Sequence, residues 1–346
     1  MGTRKKKSKG VAIVIMLVII AILAGIAALL FVQGKLSKIN RVSTATDKVD
    51  VSAQSFETDE DIGPDTVAPE DVTWAEPLSA ETAEGVTNIL LIGQDARAGE
   101  GRQRSDTMVI CSLNTDTGKI TMCSLMRDLY VPIPGYEDNR INAAYAFGGM
   151  ELLDQVVERD FGVKIDGNFA VDLEGFLNAM GAVGPLEIEL TAEEAAYLNG
   201  NPGIGTGTDV ASESWNLTPG LNTLTPAQAL GYARIRYVGN SDYERTERQR
   251  RVLTAAFNKL SGSDLPTLLR ASDSILPCLT TDLGNGDIIK LITTVKMKDL
   301  KLSPTSYRIP ADGTFSSENI RGMAVLVPDL QANSALLREY LYGTAQ

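Results

Sequence analysis

The sequence predicts a layered α/β domain carried behind one membrane-spanning helix. Three observations predict it: an uncharged apolar run of bilayer length near the N-terminus, short β-branched runs alternating with helical patterns from Gly85 onward, and arginines clustered where several of those runs end.

The apolar run covers residues 11–32, and Arg4, Lys5, Lys6, Lys7 and Lys9 precede it. About 22 residues in a helix span roughly 33 Å, enough to cross a bilayer. The run is longer than the core of a secretory signal and ends without a small-residue cleavage site, so it reads as an uncleaved anchor. The basic cluster, residues 1–10, is then a cytoplasmic tail, and the bulk of the chain lies outside the cytoplasm. Lys35, Lys38 and Arg41 weaken that bias without reversing it. Residues 33–84 read as a flexible extracytoplasmic stalk: positions 43–84 hold twelve Asp/Glu against one Lys, with much Ser, Thr, Ala and Pro.

One folded domain is expected over 85–346. Strands are predicted over residues 86–93, 107–113 and 119–125, the last two joined by a turn at 114–118. Helices follow over 142–147, 150–161 and 173–180, then a strand over 181–190. Further helices cover 225–233 and 243–260, and mixed elements continue to about 342.

Composition removes several functions. A net charge of −12 opposes nonspecific attraction to nucleic acid, and no helix-turn-helix pattern places basic residues for a groove. The chain has no histidine, which excludes a Ser-His-Asp triad and the commonest transition-metal ligand. Of three cysteines, Cys111 and Cys123 flank the expected turn, and strand register decides whether they face each other. Free thiols are the expectation.

Against this acidic background, arginines cluster. Arg97, Arg102 and Arg104 follow the first strand, Arg127 ends the hairpin, and Arg234, Arg236, Arg245, Arg248, Arg250 and Arg251 sit close together. Guanidinium groups fork onto phosphate oxygens in a way that lysine does not; the plainer alternative is surface arginines paired with neighbouring acids. On a helical wheel for 243–260, Val252, Leu253, Ala256 and Leu260 form the apolar face. Arg245 and Gln249 point along that face, and Arg248 borders it. The start of this helix therefore reads as an anion pocket opening from the core. Asp95 and Asp106 flank the first arginine cluster. They suit Mg²⁺, which takes one or two carboxylates with substrate phosphates and water, and equally suit simple pairing with Arg97 and Arg104.

Taken in order, NILLIGQDAR (88–97), RQRSDTMVI (102–110), SLMRD (124–128), RINAAYAFGG (140–149), GLNTLTPAQALGYARIRY (220–237) and DYERTERQR (242–250) resemble the LytR-CpsA-Psr family of cell-wall glycopolymer transferases. The resemblance implies an α-β-α sandwich around a central mixed sheet, with an apolar pocket for a polyprenyl chain. It implies transfer of a teichoic acid or capsular polysaccharide type polymer from a polyprenyl-pyrophosphate carrier to peptidoglycan, at the outer face of the cell membrane of a Gram-positive type bacterium. By position, Asp95 and Asp106 fall on Mg²⁺-associated aspartates. Arg104, Arg127, Arg234, Arg236, Arg245, Arg248 and Gln249 fall around the pyrophosphate, and Arg97 joins them. Arg127, Asp106 and Asp95 are the residues implied in catalysis, with Asp106 or Asp128 as candidate proton acceptors. Met126, Gln94 and Tyr243 depart from the family pattern without removing a charge. Competing functions are a hydrolase acting on the same lipid, a non-catalytic lipid-pyrophosphate-binding protein, and a transcriptional attenuator.

Overall fold

The computed structural model describes residues 31–42, 56–60, 62–94, 102–205, 215–239 and 242–343. The expected membrane span lies outside these residues except for Phe31 and Val32. Among the described residues no helix is long and apolar enough to cross a membrane.

The centre is an 8-stranded mixed sheet. It runs β1 (Asn40–Arg41), β10 (Thr280–Thr281), β7 (Gly167–Asp172), β2 (Val86–Gln94), β3 (Ser105–Asn114), β4 (Lys119–Leu125) and β11 (Lys301–Leu302), with β12 (Tyr307–Ile309) also on β4. β2 is parallel to β7 and antiparallel to β3, and β3 is antiparallel to β4. The chain places apolar residues on both sides of β2, because both faces of the sheet are covered. Leu90 and Ile92 face one core with Met108, Ile110 and Leu125. Ile89 and Leu91 face another with Leu113, Ile120 and Ile288.

Helix α1 (Asn142–Phe161) and helix α8 (Leu330–Tyr342) cover the first face. The sequence divides α1 into two helices at Gly148-Gly149; the structure joins them across a kink, where Gly149 has φ 66° and ψ −151°. Glycine suits that backbone conformation, which L side chains rarely adopt, and a Cβ would in addition push on Arg102 Nη1 at 2.8 Å. The kink turns the carbonyls of Ala146 and Phe147 toward Arg102, which donates to both at 3.2 and 3.3 Å. The second face carries α7 (Asn285–Met297) and part of α5 (Asp242–Ser261).

A side layer comprises α2 (Leu173–Val183), α3 (Ala192–Gly200), α4 (Pro226–Arg234), α6 (Leu265–Ile275) and a hairpin of β8 (Leu186–Leu190) with β9 (Gly220–Leu224). The strand expected over 181–190 therefore begins late: residues up to Val183 complete α2, whose N-cap Asp172 accepts from Gly175 N. Two further antiparallel pairs, β5 (Tyr130–Val131) with β6 (Asn139–Arg140) and β13 (Phe315–Ile320) with β14 (Met323–Pro328), lie outside the central sheet and pack on each other through Tyr130, Ile320, Met323 and Val325.

The turn between β3 and β4 forms as the sequence predicts. Asn114 Oδ1 accepts from the amides of Asp116 and Thr117 at 3.0 and 2.9 Å, and Gly118 takes φ 68°. Cys111 pairs with Met122 and Cys123 with Ile110, so the two thiols point to opposite faces. All three cysteines are free, and burial pushes the Cys123 thiol up to about 12.

The described parts of the segment expected to be a flexible stalk lie against the domain. Leu36 and Ile39 are buried beside Leu283 and Ile288, and β1 extends the sheet. Phe56, Val67, Val72 and Trp74 pack on Tyr130, Ile320, Met323 and Val325, and Trp74 Nε1 donates to Asp138 at 2.6 Å. An acidic average over the stretch conceals these few anchors, which follow no helix or strand period.

Candidate active site

Four of the predicted site residues, Asp106, Arg127, Arg236 and Arg245, converge where β2, β4 and β7 end and β3 begins, the edge at which α/β sheets commonly bind ligands. Asp106 is the second residue of β3, and Arg127 is the second residue after β4. Antiparallel pairing of Met108 with Leu125 brings the two loops together. Arg127 Nη1 donates to Asp106 Oδ1 at 2.7 Å. Arg236, in the loop after α4, brings Nη2 to 3.9 Å from Asp106 Oδ2. Arg245, on the first turn of α5, is 3 % exposed and acts on the same carboxylate.

Burial opposes ionisation of Asp106, but the facing Arg127, its hydrogen bond, and the charges of Arg245 and Arg236 outweigh it. The carboxyl is held below its ordinary range. Three guanidiniums thus gather on one ionised carboxylate in a partly buried setting, which favours a further anion.

A second arginine layer supports the first. Asp128 lies 3.4 Å from both Arg127 Nε and Arg140 Nε. Arg140 is nearly fully buried and also bonds Asp59 and the Ala324 carbonyl. Arg104 donates to Asn142 Oδ1 at 3.4 Å, approaches Glu57 at 3.6 Å and lies over the Phe147 ring. Burial lowers its pKa, Glu57 opposes that, and Arg140 adds to it. Arg234, at the end of α4, and Gln249, on α5, are half-buried.

Arg248 is placed elsewhere. Its guanidinium, 2 % exposed, is held by Glu194 and Glu244 at 2.7 Å each and by the carbonyls of Ile235 and Val238 at 3.3 and 3.0 Å. It fastens α5 to α3 and to the loop after α4. Asp95 and Arg97 lie outside the described residues. Arg140, Asn142, Glu57 and Asp59 complete the arrangement but were not singled out from sequence. Arg140 and Asn142 do sit in the RINAAYAFGG motif, whereas the two acids sit in the supposed stalk.

Among the described residues no group of three or more carboxylates and thiols is placed to cage a metal. Asp106 offers one ionised hard oxygen at the edge of the arginine cluster. That donor set fits Mg²⁺ arriving with phosphate and water ligands, and does not fit an all-protein cage.

A family model matches residues 33–338. The chain belongs to the LytR_cpsA_psr family. The match starts within the docked N-terminal segment, so β1 lies inside the LytR_cpsA_psr unit. Relatives include the polyisoprenyl-teichoic acid–peptidoglycan teichoic acid transferase TagU of Oceanobacillus iheyensis, 35% identical over 214 residues, which are 60% of this chain and 62% of that protein. Another is the regulatory protein MsrR of Staphylococcus aureus, 32% identical over 170 residues, 49% of this chain and 48% of that protein. The chain thus spans less than two thirds of the length of either relative. The mixed α/β fold is shared with solved LytR_cpsA_psr structures. TagV of B. subtilis has a TM-score of 0.59 at 22% identity, covering 76% of this chain and 100% of that one. TagT bound to LI-WTA has a TM-score of 0.58 at 24% identity, covering 78% and 99%.

Proposed function

We propose that this chain transfers a glycopolymer of teichoic acid or capsular polysaccharide type from a polyprenyl-pyrophosphate carrier to peptidoglycan, outside the cytoplasm and anchored by residues 11–32. The gathering of Arg127, Arg236 and Arg245 on Asp106 is the observation that carries the reading. An acceptor hydroxyl attacks the phosphorus bearing the polymer. The bond to the bridging oxygen breaks, a phosphodiester forms, and the hydroxyl proton leaves with the released polyprenyl phosphate or to solvent.

Phosphoryl transfer asks for positioning and charge neutralisation more than for covalent participation. Arg127 and Arg236 would grip the pyrophosphate from the sheet edge, Arg245 from the helix start, and Arg104 and Arg234 from the flanks. Bound Mg²⁺, held by Asp106 with Asp95, would neutralise phosphate oxygens. A carboxylate held below its ordinary range is a weak base, so Asp106 is better suited to orient Arg127 and hold the cation than to take the proton.

The name of the MsrR relative keeps a regulatory reading in view. The deciding assay presents the full chain with a synthetic polyprenyl-pyrophosphate saccharide and peptidoglycan fragments, with Mg²⁺ or with chelator. Mg²⁺-dependent attachment to the acceptor is expected. Lipid phosphate release without attachment would assign a hydrolase, and binding without release a binding or regulatory protein. A C-terminal topology reporter that reads as cytoplasmic would overturn the placement outside the membrane.

A further inference from the structure

A second concavity adjoins the arginine cluster. It is a polar cleft of about 220 Å³ between the ends of β2 and β7, the first turns of α2, and the 3₁₀ turn Leu276–Cys278. Its volume falls below the roughly 300–1,000 Å³ of pockets that enclose drug-sized ligands, so it holds a single ring.

Three lining side chains are amides, Asn40, Gln94 and Asn178, and the charged ones, Asp172 and Glu174, are both acidic. Among the described residues no lysine or arginine lines it. Glu174 and Asn178 are exposed four residues apart, on one face of α2. The walls are fixed rather than chance neighbours: a Cβ at Gly175 would lie 3.0 Å from the Cys278 carbonyl, and Asn40 Nδ2 donates to the Pro277 carbonyl at 2.9 Å.

The lining selects its ligand chemistry. The two carboxylates disfavour phosphate, the opposite of the arginines around Asp106. Amides both donate and accept, as sugar hydroxyls do, and carboxylates accept from hydroxyls. Val171 and Pro277 add only a small apolar margin to an otherwise polar surface.

The cleft also opens at the end of the sheet where β3 begins, next to Asp106 in sequence and register. Gln94 pairs with Ser105, the residue before Asp106, across adjacent strands. Neighbouring strands are about 4.8 Å apart, so Gln94, one of the lining residues, sits one strand from the segment that carries Asp106.

We infer that this cleft binds a neutral pyranose ring of the acceptor glycan and presents its hydroxyl toward the pyrophosphate held by the arginines. The inference rests on the transferase reading for its role, but the binding itself is separable from it.

The test uses the full chain and a soluble N-acetylglucosamine–N-acetylmuramic acid disaccharide with its lactyl carboxyl amidated, with Asn178→Trp to fill the cleft from an exposed helix position and Glu174→Gln to remove one acceptor. Disaccharide affinity by NMR titration should fall about tenfold or more in Asn178→Trp and less in Glu174→Gln. In the transfer assay the acceptor KM should rise about tenfold while kcat stays within about twofold. Unchanged disaccharide binding in a folded Asn178→Trp chain overturns the inference. So does inorganic pyrophosphate binding that Asn178→Trp abolishes. Wild type that binds the disaccharide, loses it in Asn178→Trp and transfers nothing refutes the transferase reading and leaves the cleft standing. Transfer with an unchanged acceptor KM in Asn178→Trp refutes the cleft alone.

Discussion

Arg245 and Arg248 lie three positions apart on α5 and are both buried, yet they serve different ends. The helical wheel turns both inward, and both are inside. What a wheel cannot supply is the partner: Glu194, which holds Arg248, is 54 positions away on another helix. Removing Arg248 strands that nearly buried carboxylate. Arg248→Ala should therefore destabilise the fold by about 3–5 kcal/mol, seen as a lower denaturation midpoint. Arg127 differs, being partly exposed and held by side chains at the rim. Under the transferase reading, Arg127→Ala should lower kcat by about 10²–10³ while the melting temperature moves by only a few degrees. A full-speed variant would remove Arg127 from the site.

At the scale of elements, the hairpin of β3 and β4 was readable because its turn chemistry and its strand composition agree. Helix α1 was readable except for its continuity. The glycine pair signals a break, and only Arg102 accepting the duty of capping two turned carbonyls shows why the helix resumes. The same helix carries a titrating group that periodicity gives no hint of. Burial, with Asp282, Glu158 and Glu151 nearby, pushes Asp154 up to about 8, although Asn168 Nδ2 donates to it at 2.7 Å and opposes the shift. The folded form then keeps a proton that the unfolded chain releases near its ordinary value of roughly 4. Raising the pH from there to about 8 should lower stability. Asp154→Asn should remove its share of this slope in melts taken across that range, the remainder belonging to Asp160 on the same helix, which burial also pushes up to about 8. An unaltered slope would place the titration elsewhere.

For the molecule as a whole, alternation of strand and helix patterns was enough to give the mixed α/β class, because both faces of the sheet demand continuous apolar strands. The extent of the folded unit was not legible. An acidic stretch is read as unfolded by average composition, but docking needs only a few anchors, and here Leu36, Ile39, Phe56 and Trp74 supply them. A chain begun at Gly85 should be less stable than one begun at Gln33. Loss of Leu36 and Ile39 alone accounts for about 3–6 kcal/mol at roughly 1.5–3 kcal/mol per buried side chain. Equal denaturation midpoints for the two chains would show that the docked segment contributes nothing.

The position of β1 bears on where such an enzyme can work. Under the anchored reading, the lipid boundary falls near Val32, and Asn40 is already hydrogen-bonded into the sheet against Thr280. Even fully stretched, the backbone between them reaches no more than about 30 Å, and less where it is helical. The domain rides on a short leash, like a bead against a wall rather than a ball on a string. On the proposed function, carrier lipid would then arrive from directly beneath, and only glycan strands in the layer next to the bilayer would come within its radius of action.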